Sequence, residues 1–352
     1  MLLLRTLCFA AFAFAGSLGA EVVRITPATL TDAVQPQIAV APSGKVHVVF
    51  GANGTVYHTS SADGRTFSPP VKIASLEKLA LGKRRGPRVV ATDKLITVTA
   101  IAHATGTLHG WTSADGGATW QDSGALNSVK TSAREGLHAM AADGHGLVAL
   151  TWLDLRNDQM ELWSRVSRDG GRTWGGETKA YAAPEGSICP CCHPSVAIGP
   201  KGIIAVMWRN SLAGDRDMWM AVSSDGGKTF PNPQKLGTGS WRIEGCPMDG
   251  GSIAFQGDGT PVTAWRRETR IFTAFPGKPE AEIAPDAAQP VVLRTGADVA
   301  LAYEQNGKVM LRIGTRAAET LGAGRSPALA GNAKAAYVAW ETDGALLLAP
   351  IR

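Results

Sequence analysis

The chain has 352 residues and carries 35 Lys and Arg against 30 Asp and Glu, for a net charge of +5. The basic residues are scattered and Lys83-Arg84-Arg85 is the only run, so no nucleic-acid partner is expected. The length allows one large all-β domain or two smaller ones, and 41 Gly with 20 Pro suit a chain of many tight turns.

Residues 1–20, MLLLRTLCFAAFAFAGSLGA, read as a cleaved secretory signal. Arg5 is the one charge, Leu7 to Ala15 is apolar, and Ser17, Gly19 and Ala20 supply small residues. The apolar run is short of the ~20 residues a membrane span needs. A periplasmic or secreted protein with no membrane span is expected. Cleavage would remove Cys8 and leave Cys189, Cys191, Cys192 and Cys246.

After a spare strand at Val22-Val-Arg-Ile25, repeated units follow. A first strand often starts at Pro, as in Pro36-Gln-Ile-Ala-Val, Pro87-Arg-Val-Val and Pro194-Ser-Val-Ala-Ile. A second strand carries Phe50, Ala100, Trp152, Trp208, Trp265, Tyr303 or Trp340 near its end. Then comes a turn motif: Ser61-Ala-Asp-Gly-Arg-Thr-Phe67, Ser113-Ala-Asp-Gly-Gly-Ala-Thr-Trp120, Ser167-Arg-Asp-Gly-Gly-Arg-Thr-Trp174 and Ser223-Ser-Asp-Gly-Gly-Lys-Thr-Phe230. Asp63, Asp115, Asp169 and Asp225 lie 52, 54 and 56 residues apart, a propeller or solenoid period. In each copy Asp can accept backbone N–H groups and Gly can supply a positive φ.

Seven such units are countable, the last three without the motif. The seventh ends at Leu346-Leu-Leu-Ala-Pro-Ile-Arg352 after three strands, so the N-terminal strand is expected to complete it and remove the open edges. The fold expected is all-β: one seven-bladed β-propeller over residues 21–352, with six blades as the alternative and a monomer as the state.

Loops alternate between the two faces of such a propeller. One face carries plain turns and the motifs. The other collects Arg85, Arg88, His138, the 189–193 stretch and Cys246-Pro-Met248-Asp249 on the segments leading into innermost strands, with Asp154, Arg156, Arg209 and Arg266 after second strands. Residues distant in sequence should converge there on a small-molecule or glycan ligand. Arg88, Arg156, Asp249 and Arg266 are its candidate ligand-binding residues.

The repeated motif resembles the Asp-box, or bacterial neuraminidase repeat, of the sialidase superfamily. That resemblance covers most of residues 36–275 and implies that the boxes are structural. It also implies an arginine triad for a substrate carboxylate. Arg85-Gly86-Pro87 is similar to the first triad segment and Arg209-Asn210 to the second; Arg266 or Arg267 would be third. The acid/base aspartate expected near residues 100–106 is missing from Ala100-Ile-Ala-His-Ala-Thr-Gly106, and Asp154 is the candidate substitute. A glutamate expected before Arg209 is replaced by His193-Pro194-Ser195, and Tyr303 sits inside a predicted strand. Exo-glycosidase chemistry on an anionic sugar is therefore an alternative to plain ligand binding.

Gly186-Ser-Ile-Cys-Pro-Cys-Cys-His-Pro194 stands where that glutamate would be. Three readings are open. Cys189, Cys191, Cys192 and Cys246 could form disulfides in an oxidising compartment. Cys189, Cys192, His193, Cys246, Met248 and His138 could hold a metal, and soft sulfur ligands with imidazole suit copper. Cys189-x-x-Cys192-His193 also fits covalent haem attachment, with Met248 as the sixth ligand.

Overall fold

The computed structural model describes residues 21–352, and the stretch 1–20, read above as a secretory signal, lies outside the described residues. Seven antiparallel sheets follow one another in chain order. Blade one runs Val34–Val40, Val46–Ala52, Thr55–Ser61 and Val71–Ser75. Blade four runs Ser195–Ile198, Ile204–Ser211, Met218–Ser223 and Gln234–Lys235, with an extra strand, Ser187–Ile188, paired to its second. Blade seven contains Arg325–Gly331, Ala336–Thr342 and Ala345–Pro350, and Val23–Arg24 is its fourth strand, with Val23 opposite Leu348. The expected closure is present, and the six-bladed alternative is not the fold.

The second strand of each blade is the most deeply covered, because a neighbouring blade packs on both of its faces. Val46–Ala52, Ile96–Ala102 and Val148–Asp154 are buried at every position. Phe50, Trp152, Trp208, Trp265, Tyr303 and Trp340 are all buried. Burying each such side chain is worth ~1.5–3 kcal/mol.

The boxes act locally and between blades. Ser113 Oγ donates to Asp115 Oδ1 at 2.8 Å and accepts from the Gly117 N–H at 2.9 Å. Asp115 Oδ1 also takes the N–H groups of Ala118 and Thr119, each at 3.0 Å. The shorter first copy uses Gly64, one residue nearer its serine. The box glycine has positive φ and lies against the preceding blade. A Cβ on Gly117 would stand 2.1 Å from the His58 ring, and one on Gly64 would stand 2.5 Å from Tyr337 of blade seven. Each box thus seats one blade on its neighbour.

Candidate functional site

The segments that lead into innermost strands close one end of the central channel. Arg84, with positive φ, turns inward and crosses to blades six and seven. Its Nε donates to Gln289 Oε1 at 2.8 Å, and its Nη atoms donate to the carbonyls of Gln289 and Pro327, each at 2.5 Å. Arg88 donates to the carbonyls of His138, Gly86, Pro87 and Arg84. Arg85 turns away, and its Nε donates to the Glu135 carbonyl at 2.6 Å. The large cavity, about 670 Å³, is the channel itself, lined by the innermost strands of all seven blades. Its exposed end lies at the turns of Asp143, His145 and Lys334, on the face opposite the loops.

Beside that closure the Cys-Pro-Cys-Cys turn gathers its thiols. The Cys189 N–H donates to the Arg209 carbonyl at 2.8 Å, anchoring the turn to blade four. Cys189 Sγ lies 3.5 Å from both Cys191 Sγ and Cys192 Sγ, and all three sulfurs fall within 4.8 Å of one another. All three residues are buried, and Met248 packs on them. Gly250 allows that close approach, since a Cβ there would stand 2.0 Å from the His193 carbonyl oxygen.

The cluster contains one thiol poised to ionise. Burial opposes the Cys192 thiolate, but contacts from Cys189 and Cys191 and the Arg209 guanidinium hold Cys192 well below its ordinary range. The Cys191 thiol is pushed up by Cys189, Cys192 and burial. His193 Nδ1 accepts the Gly250 N–H at 3.1 Å, and burial with Arg84 and Arg88 lowers it to about 3. His193 lines the channel, while the thiols lie behind it.

The other candidates divide. His138 is buried and faces back to blade two, where Thr99 Oγ1 is 3.0 Å from Nε2, so it does not join the thiols. Cys246 is exposed and outside the cluster, and all four described cysteines are free thiols. Arg209 is 1% exposed and donates to the carbonyls of Asp249, Arg216 and Arg266. Asp249 Oδ2 accepts the Gln289 N–H at 2.8 Å and forms an ion pair with Arg266, whose Nε lies 3.2 Å away without a hydrogen bond, and burial raises the carboxyl to about 6 against the pull of Arg266. Asp154 is buried beneath Ser132, Trp152 and Arg156, and Arg156 pairs with Glu177 at 2.6 Å over the Trp163 ring. Tyr303 is part of the core. Arg84 stood on the loop face in the sequence without a role assigned, and Gln289 and Trp241, whose ring lies under Arg209 and Arg266, had no sequence signal.

A BNR repeat-like domain is matched over residues 86–242. Among curated proteins no sequence match is found. A protein of unknown function from Dyadobacter fermentans is similar in structure at 17% identity and a TM-score of 0.56, over 95% of this chain and 99% of that one. Virginiamycin B lyase from Staphylococcus aureus aligns at 12% identity and 0.58, over 94% and 99%. The NanB sialidase of Streptococcus pneumoniae aligns at 11% identity and 0.51, over 82% and 68%. At these identities the likeness is one of fold. The chain is therefore a seven-bladed β-propeller with four Asp-box turns that carries a BNR repeat-like domain over residues 86–242.

Proposed function

We propose that this propeller binds one soft metal ion, copper(I), through Cys189, Cys191 and Cys192, with Met248 against the site. The observation that carries the reading is the meeting of three buried thiols within 4.8 Å of one another. An ion ~2.3 Å from three thiolates in a plane needs sulfurs ~4.0 Å apart. The two 3.5 Å separations and the 4.8 Å bound bracket that value. Three thiolates with a nearby thioether favour copper(I) over zinc, which rarely takes Met and closes its tetrahedron with a fourth Cys, His or carboxylate. Haem fits less well, because Cys189 and Cys192 face each other rather than two separate vinyl groups. Burial of the thiols also shields them from oxidants, which matters if the leader exports the chain.

Sialidase-type hydrolysis has less support. Arg209 faces carbonyls rather than an open pocket, and Asp154 is held by Arg156. Both are better suited to fixing the loops.

The test is a copper(I) titration of reduced protein, without oxygen, against the chelator bathocuproine disulfonate. One copper per chain should be retained, and Cys191→Ser should surrender it. Complete transfer from the wild-type protein to the chelator would refute the site.

A further inference from the structure

The channel holds a second candidate site, independent of the thiols. Its loop end is floored by Arg84, Arg88 and His193, all buried, and its other end is open at Asp143, His145 and Lys334. Ile38, Val89, Val291 and Leu293 give it apolar walls. A buried guanidinium is costly unless an opposite charge accompanies it. Arg84 has Asp249, Glu304 and Glu341 acting on it. Arg88 has no such partner: its four hydrogen bonds all go to carbonyls, and it makes no ion pair among the described residues. Burial and the Arg84 charge lower it to about 9.

A guanidinium offers five N–H groups. Arg88 uses its Nε–H, both on Nη1 and one on Nη2, which leaves one free. Arg84 uses Nε–H and one on each Nη, which leaves two. Floor, walls and free donors therefore describe a receptor for an anionic head on an apolar body. One uncompensated charge matches a monoanion, since a dianion would lose more hydration in an apolar channel than a single guanidinium returns.

We infer that the channel binds a small organic monocarboxylate, admitted from the turn face, with its carboxylate on Arg84 and Arg88. This site differs from a loop-face carboxylate site at Arg85 and Arg209 in both its arginines and its route of access.

Calorimetry with sodium benzoate, inorganic phosphate and benzyl alcohol at neutral pH tests it. Benzoate should bind with one-to-one stoichiometry, and the other two should bind at least about tenfold more weakly. Arg88→Met should weaken benzoate by a similar factor. Leu293→Trp narrows the channel between opening and floor and leaves both arginines in place, so it decides the matter if Arg88→Met fails to fold. It too should weaken benzoate about tenfold. No benzoate binding, binding unchanged in Leu293→Trp, or phosphate bound as tightly as benzoate would each overturn the inference.

Discussion

Between about pH 6.5 and 4.5 the protein is expected to lose most of its stability, through histidines that fold neutral. His47 and His58 face each other across blade one, with Nδ1 and Nε2 3.1 Å apart. Burial, then His58 and Lys45, lowers His47 to about 3, and burial with Lys45 lowers His58 to about 4. Burial with the nearby arginines lowers His193 to about 3 and holds His138 well below its usual value.

The sign follows from linkage. In the unfolded chain these rings take protons below about pH 6.5, while the folded chain leaves them neutral. Each ring therefore withdraws about 1.4 kcal/mol per pH unit as pH falls. Asp249 works the other way, because its folded value of about 6 lies above the unfolded ~3.9 and folding takes up a proton there. The net slope is about 4 kcal/mol per pH unit, or about 8 kcal/mol over two units, which is comparable with a typical total of 5–15 kcal/mol. Urea unfolding at several pH values reads that slope directly. Constant stability from pH 7 to 4.5 would refute the account.

Replacing Arg209 with Met is expected to cost about 3–5 kcal/mol of stability. The substitution keeps much of the apolar stem but leaves the carbonyls of Asp249, Arg216 and Arg266 without their buried donor. It also removes the guanidinium over Trp241 and the charge that favours the Cys192 thiolate. A large fall in the denaturation midpoint would identify Arg209 as the strut of the loop face. An unchanged midpoint would return it to the pool of ligand-facing arginines. By contrast, Arg270→Ala breaks only the solvent-exposed pair with Glu282, and the midpoint should not move.

The difference between those arginines shows where the sequence was informative. A box is written within eight residues, so its turn and period could be read directly, and the strand pattern extended the count to seven units. The missing fourth strand of blade seven was legible because a spare strand stood at the other terminus. The three thiols were legible because they are contiguous, and Met248 because it holds the equivalent place one blade on. Arg84 and Arg85 are adjacent and chemically identical, and only the backbone at Lys83 and Arg84, both with positive φ, decides which one enters the channel. His138 occupies a loop-face position like that of the thiols, yet its side chain points to the preceding blade rather than toward them. The His47–His58 pair depends on hairpin register, with His47 opposite Ser60 and His58 opposite Val49.

The closed channel end is the other departure. Loop-face residues were expected to line an open mouth, but Arg84 bridges to Gln289 and Pro327 and seals it. The cavity is consequently entered from the turn face, while the thiols sit behind His193.

X-ray absorption at the copper edge of protein loaded with one copper(I) tests the central reading most directly. Three sulfur neighbours at ~2.3 Å are predicted, and Cys191→Ser should not retain the copper. A first shell of nitrogen and oxygen in the wild-type protein would contradict it.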